Sequence, residues 1–194
     1  MSTFTTNHES PKNNENIKNI NQNEEEEIVF DYYYENKNSV SYNISVTLMQ
    51  LISENMQKDN YKEKLNKQKK QIFTSKIIPK ISVSDYLLRI TKYANVSDEI
   101  LIIALIYLDK LCKKNKIMLN SYNVHRLLFI SILISIKMNS DKIYKNNYYS
   151  KISGINPKDL CLMEYEFIYL SGFMLNIKKE IYEKYKSFLI KNLY

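Results

Sequence analysis

The sequence predicts an all-α protein, built as a five-helix bundle with one flanking helix on each side. Its 194 residues include only 2 Gly and 3 Pro, too few for the tight hairpins of a β fold. Residues 100–111 and 121–138 are apolar around most of a helical circumference, which is typical of helices at the centre of a bundle. Amphipathic segments precede and follow these two, as expected for helices that cover such a centre.

The region before the bundle divides into three parts. Residues 1–38 are polar and Asn-rich, with an acidic run at 24–27, so this tail is predicted to be disordered. Residues 57–75 form a lysine-rich linker, which is either a docking or nuclear-targeting patch or a solvated insert. Between them, residues 39–56 are predicted to form an amphipathic helix, because apolar side chains recur at helical spacing: Ile44, Leu48, Leu51, Ile52 and Met56.

Start signals divide the central region, residues 76–176, into helices. Ser82 begins a sequence like a capping box, with Asp85 in place of the usual Glu. Ser97 is followed by two acidic residues that the helix dipole favours. Asn120 is predicted to open the third helix.

Glycine and proline mark the later boundaries. Residues 144–152 are predicted to form a short helix that Gly154 ends. Pro157 suits the first turn of the last core helix. The C-terminal segment, residues 177–194, contains a final amphipathic helix at about 181–193.

The net charge of +7 and the isoelectric point near 9.1 allow two interpretations. One is a basic face that binds nucleic acid. The other, which we favour, is a composition rich in Asn, Lys, Ile and Tyr that reflects AT-rich codons, because the lysines are scattered among acidic residues. No apolar run reaches the length of a membrane span, and the N-terminus lacks the core of a signal peptide. We therefore expect an intracellular protein in the nucleus, the cytoplasm or both.

No pattern in the sequence indicates catalysis. His125 has no neighbouring nucleophile or orienting acid, and it is interpreted as a structural histidine at a helix end. Cys112 and Cys161 lack the spacing of metal ligands and are predicted to be buried thiols. We expect no catalytic residue, no metal and no cofactor.

Four charged residues instead lie within apolar helix faces: Arg89, Asp109, Lys137 and Glu164. Charges in such surroundings are usually paired, because an unpaired buried ion costs several kcal/mol.

These charges belong to a longer pattern that resembles the cyclin box, especially that of single-box P- and U-type cyclins related to the phosphate-pathway cyclin of fungi. The resemblance extends from about Ile44 to about Leu175, and it depends on the order and spacing of short strings rather than on any one of them. The strings are residues 81–90, 92–94, 104–110, 123–128 and 136–138 with Asp141, then Gly154–Ile155 and 163–167.

The resemblance implies a cyclin-box bundle over residues 76–176 and a role for each of the four charges. Arg89 and Asp109 resemble an internal ion pair that locks the first box helix to the second. Lys137 and Glu164 resemble the pair that anchors the partner kinase. Five further residues resemble the apolar part of the kinase-facing surface: Ile134, Met138, Ile168, Phe173 and Leu175.

The implied function is that of a non-catalytic regulatory subunit. It would form a heterodimer with a cyclin-dependent protein kinase and activate it allosterically, in cell-cycle or in nutrient and phosphate signalling. The alternative is a cyclin-fold adaptor that binds nucleic acid or a transcription complex. Two departures stand out: the chain has no Trp, with Asn95 near the position of the substrate-docking Trp, and Lys110 stands where Arg is common.

Overall fold

The computed structural model describes residues 39–68 and 71–191, and within them it contains eight helices and no strand, so the all-α prediction is confirmed. The predicted disordered tail, residues 1–38, lies outside the described residues. The helices are α1 (Val40–Met56), α2 (Tyr61–Gln68), α3 (Val83–Ala94), α4 (Asp98–Asn115), α5 (Val124–Asn139), α6 (Asn146–Ser153), α7 (Pro157–Ser171) and α8 (Lys179–Lys191).

Helices α4 and α5 form the centre of the bundle, as their apolar composition predicts. They pack against each other more extensively than any other pair of described helices. Nearly every residue of α5 from Val124 to Ile136 is buried, so this helix has no solvent face until its last turn. Helices α7 and α8 cover α4, while α3 and α7 cover α5.

The flanking helix α1 packs on α3, α4 and α8, but with a narrower face than predicted. Ile44, Leu48 and Ile52 are buried as expected. Leu51 and Met56 are 42% and 54% exposed, so they lie outside the buried face. The stripe is completed instead by Val40 at the start of the helix.

Local capping explains one helix start and corrects another. The Ser82 hydroxyl accepts a hydrogen bond from the Asp85 backbone N–H at 3.0 Å, as the capping sequence predicts. The third core helix begins at Val124 rather than at Asn120. The buried Asn120 and Asn123 side chains accept hydrogen bonds from backbone N–H groups of the preceding turn, so they hold a turn that competes with helix.

Of the lysine-rich linker, residues 57–75, the structure describes residues 57–68 and 71–75. It contains α2, and both Gln68 and Phe73 are buried. Phe73 belongs to the main core. The predicted central region, residues 76–176, contains α3 to α7, and Gly154 ends α6 with φ of 69°, as predicted.

Candidate functional site

The ends of α5, α6 and α7 bring together two of the four singled-out charges. Lys137 lies in the last turn of α5, and its Nζ forms an ion pair with Oε1 of Glu164 on α7. The two side chains are 27% and 14% exposed. The pair is therefore largely shielded by protein, yet a partner could reach it from the surface.

Asn146 is a third member of this cluster, and the sequence did not reveal it. It is the first residue of α6. Its Oδ1 accepts a hydrogen bond from Lys137 Nζ at 2.8 Å, and its Nδ2 donates to Glu164 Oε2 at 2.5 Å. The amide thus holds both ions at once. No local pattern separates it from Asn147 beside it, because its role depends on contacts across helices.

The cluster keeps unused hydrogen-bonding capacity. A lysine ammonium carries three N–H donors and a carboxylate about four acceptor sites. Within the cluster Lys137 donates to Glu164 and Asn146, which leaves one donor. Glu164 accepts one bond at each oxygen. Together they can bind a carbonyl and an N–H of a partner.

The five predicted apolar contact residues separate into three groups. Met138 and Phe173 are 56% and 72% exposed. Ile168 and Leu175 are half-buried against the core. Ile134 is only 2% exposed, so its predicted place on a partner-facing surface is wrong: α5 is covered on all sides at that turn.

Phe173 has an unusual backbone. Gly172 ends α7 with φ of 66°, and Phe173 follows with φ of 59°. A left-handed conformation costs a residue with a Cβ about 1–2 kcal/mol. The bond from Phe173 N–H to the Ile168 carbonyl at 3.1 Å supports it. Strain that exposes a large apolar ring is typical of a functional surface.

A groove of about 760 Å³ adjoins the last residues of α5. Met138 and Phe173 line it, together with Leu175, Tyr107 and Tyr182. The Tyr107 hydroxyl donates to the Leu175 carbonyl at 2.7 Å. This bond fixes the chain after α7 against α4 and sets the shape of the groove.

The predicted pairing of Arg89 with Asp109 is wrong. Arg89 is exposed on α3 and donates to the Lys151 carbonyl at 2.9 Å. Asp109 accepts from Tyr185 at 2.5 Å and pairs with Lys113 at 2.8 Å. The reason is the packing, since α3 contacts chiefly α1, α5 and α6, whereas α8 packs on α4.

An internal arginine–aspartate pair exists elsewhere. Arg126, in the first turn of α5, pairs with Asp159 in the first turn of α7 at 3.1 Å and also donates to the Ile72 carbonyl at 2.7 Å. It locks the linker to the bundle. A sequence search for charges within apolar faces overlooks it, because Arg126 follows His125 at the helix start.

The histidine and the two cysteines considered in the sequence analysis lie in different surroundings. His125 Nε2 hydrogen-bonds the Ile81 carbonyl at 2.9 Å, which confirms its structural interpretation. Burial lowers the pKa of this imidazole. Cys112 is partly buried, and burial raises the pKa of its thiol to about 12. Cys161 is exposed, so its predicted burial is wrong.

Comparison with known proteins adds independent information. The Cyclin family model matches residues 4–175. Cyclin-U4-3 of Arabidopsis thaliana is 40% identical over 147 residues, which cover 75% of this chain and 65% of that protein. PHO85 cyclin-7 of Saccharomyces cerevisiae is 34% identical over 131 residues, 61% of this chain and 46% of that protein. The alignments thus span less than two thirds of these relatives. None of the helices in the described part of the chain is long and apolar enough to span a membrane.

Proposed function

Because this chain belongs to the cyclin family, we propose that it is a regulatory subunit that binds a cyclin-dependent protein kinase and activates it allosterically. The observation that carries the proposal is the Lys137–Glu164 pair, accessible from the surface and oriented by Asn146. The P- and U-type resemblance favours a role in cell-cycle or nutrient and phosphate signalling.

The chemistry of the pair suits the end of a kinase helix. The last carbonyls and first N–H groups of any helix lack intrahelical partners. The free Lys137 donor can bind such a carbonyl, while Glu164 can accept from an N–H. Bonds to charged groups are about twice as strong as neutral ones. A pair of opposite charges therefore binds a mobile helix in one orientation.

The apolar surroundings support the same proposal. Met138 directly follows Lys137, and Phe173 lies on the same groove as Met138. Exposed Met and aromatic side chains beside shielded charges are the expected composition of an interface core. The interface would centre on these residues and extend over Ile168 and Leu175.

Activation requires preferential binding to one kinase conformation. A regulatory subunit shifts a kinase toward its active arrangement only by binding that arrangement more tightly. In that arrangement, the Glu of the kinase regulatory helix pairs with the Lys that holds the ATP phosphates. This chain contributes the surface that holds the helix inward, and the kinase performs the catalysis.

The sharpest test exchanges the two charges. In a Lys137→Glu, Glu164→Lys double variant the internal pair can re-form, but the groups offered to the partner are reversed. We expect the kinase to be lost from pull-downs of native lysate, with binding weakened by about 2–5 kcal/mol, while the melting temperature stays near that of the original chain. Mass spectrometry identifies the retained kinase.

Glu166→Ala is the matched control, because Glu166 lies on the same helix but lines a different groove. It should retain the kinase. If the exchanged variant binds the kinase normally, the pair is only an internal bridge and the proposed contact is refuted. Recovery of no cyclin-dependent kinase by the original chain would refute the function itself.

The adaptor hypothesis makes a different prediction. It requires steeply salt-dependent binding of nucleic acid through lysines within residues 58–70. Helix α2 exposes Lys62, Lys64 and Lys67, although Lys67 pairs with Glu63 at 2.6 Å. Loss of nucleic-acid binding on substitution of these lysines, with no kinase recovered, would favour the adaptor.

A further inference from the structure

A cavity of about 210 Å³ lies where α1, α4 and α8 meet, and we call it the α1–α8 cavity. Leu51 on α1 and Phe188 on α8 line it and are 42% and 51% exposed, so the cavity opens to solvent between these helices. Five of the residues that line it are buried aliphatic side chains: Leu48, Leu105, Leu108, Ile117 and Leu119. None of these residues belongs to the candidate kinase contact.

Asp109 is the only charged residue among those that line the cavity. Its Oδ2 atom accepts hydrogen bonds from the Tyr185 hydroxyl at 2.5 Å and from Lys113 Nζ at 2.8 Å, whereas its Oδ1 atom has no hydrogen bond to any described residue. The Lys113 side chain is 76% exposed, so water screens most of its attraction. The carboxylate can therefore accept a further donor from a molecule in the cavity.

Two other polar side chains of the cavity are already bonded to the chain itself. The Thr47 hydroxyl donates to the Asn43 carbonyl at 2.7 Å. The Asn55 amide donates to the Leu119 carbonyl at 2.9 Å and accepts from Lys58 Nζ at 2.6 Å. The Asp109 carboxylate is thus the polar group of the cavity with most capacity for a ligand.

Cys112 contributes a neutral part of the wall. Burial, followed by the charge of Asp109, raises the pKa of its thiol to about 12, so the thiol stays protonated at neutral pH. A protonated thiol packs as a small apolar group. The cavity therefore combines apolar walls with a single negative charge.

We propose that the α1–α8 cavity binds a small amine that carries one apolar ring, with its ammonium group on the Asp109 carboxylate and its ring among the aliphatic side chains. An alkylammonium is positively charged at neutral pH, as lysine is, and it supplies N–H donors for Oδ1. An apolar cavity of about 150 Å³ holds one benzene molecule, so a cavity of about 210 Å³ suits a ring with a short chain. The inference goes beyond kinase binding and does not depend on it.

The charge and the size of the cavity distinguish among ligand classes. Asp109 repels a carboxylate or a phosphate, because like charges at short range interact unfavourably, and a neutral compound gains no Coulomb attraction to it. The cavity is also smaller than the range of about 300–1,000 Å³ that is typical of pockets for drug-sized ligands. A cation with a single ring meets both conditions.

The test uses the full chain and para-fluorophenethylamine, whose binding is measured by fluorine NMR titration. We expect saturable binding with a Kd of about 1 mM or tighter, the range open to a ligand of about ten non-hydrogen atoms. The neutral analogue para-fluorophenethyl alcohol has nearly the same size and should bind about tenfold more weakly. The anion para-fluorophenylacetate should bind more weakly than the alcohol.

Asp109→Asn keeps the shape of the side chain and removes its charge. The affinity for the amine should fall about tenfold, while the affinity for the alcohol should change less than about threefold. Glu183→Gln is the matched control, because it removes the same charge at an exposed position of α8 outside the cavity. It should change the affinity for the amine less than about twofold.

Because Asp109 also bonds Tyr185, a second variant tests the cavity without that bond. Phe188→Ala removes an exposed ring at the opening and should weaken amine binding about threefold. Met49→Ala, at an exposed position of α1 outside the cavity, should leave it unchanged. Lys137→Ala should also leave amine binding intact, which separates the cavity from the kinase contact.

Three results would overturn the proposal: no saturable binding of the amine, equal binding of the amine and the alcohol, or an equal loss in Asp109→Asn and Glu183→Gln. If Asp109→Asn proves unfolded, an unchanged amine affinity of Phe188→Ala overturns it alone.

Discussion

Helix α5 is tied to α7 by an ion pair at each end, and the two pairs differ in their other partners. At the N-terminal end Arg126 bonds Asp159 and the backbone of Ile72, so it closes the structure on itself. At the C-terminal end the hydrogen bonds of Lys137 to described residues go to the side chains of Glu164 and Asn146. Two similarly shielded pairs on one helix therefore differ in structure: one is tied to the backbone of the chain, and the other is the pair that we propose for kinase binding.

Among variants that test this difference between the two pairs, Arg126→Met should have the largest effect on stability. It keeps an apolar stem but removes the guanidinium. The Ile72 carbonyl and Asp159 then lose their donor, and stability should fall by about 2–3 kcal/mol. Urea unfolding measures this loss. Kinase binding, tested below the melting temperature, should not change. A kinase defect as large as that of the exchanged Lys137–Glu164 variant would contradict the division of roles.

The next largest effect concerns Asn146. Asn146→Ala removes both bonds that orient the charges, so the pair must order itself on binding. We expect kinase affinity to fall by about 1–2 kcal/mol, measured by calorimetric titration with the identified kinase. Asn147→Ala is the control, since Asn147 is an exposed neighbour. Equal behaviour of the two variants would remove Asn146 from the site.

The sequence predicted most of the helices but not the contacts that their charged side chains make. Helical periodicity and caps predicted α3, α4, α6 and α7, because both are local properties. They could not show which way a charge points: Arg89 and Asp109 face different neighbours, which depends on how α3 and α4 pack. Nor could they show that Ile134 is covered while Met138, four residues later, is exposed, since α5 is apolar on all sides.

The residues of the candidate site also show that the sequence predicts local features better than contacts between helices. The resemblance identified Lys137 and Glu164, and the structure places them in contact. Asn146 was not predicted, because no local sequence pattern distinguishes it from Asn147. Phe173 was predicted as a contact, but its left-handed backbone depends on how α7 ends at Gly172. Tertiary contacts, rather than helix formation, account for the missing information.

A smaller effect should separate strain from contact at Phe173. Phe173→Gly relieves the left-handed backbone, and after the entropy cost of glycine the free chain should gain about 0.5–1 kcal/mol. Phe173→Ala keeps the strain. Both variants lose the ring, so both should bind the kinase more weakly. Thermal unfolding measures the stability of each variant, and titration measures its affinity for the kinase. A Gly variant no more stable than the Ala variant would exclude strain at this position.

The smallest effect is the pH dependence of stability at the N-terminal end of α5, where Arg126 pairs with Asp159. His125 precedes Arg126, and burial lowers the pKa of its imidazole. The unfolded chain therefore takes up this proton at higher pH than the folded chain. The contribution of His125 to stability is complete above its unfolded pKa and is lost as pH falls below it.

Between pH 7.5 and 5.5 we expect stability to fall by at most about 1.4 kcal/mol through this group, and His125→Gln should flatten that part of the profile. Urea unfolding at each pH measures the slope. The slope belongs to the Arg126 end, so the exchanged Lys137–Glu164 variant should retain it. If the slope disappears in the exchanged variant and persists in His125→Gln, the pH response belongs to the C-terminal end of α5, at Lys137, and not to the Arg126 end.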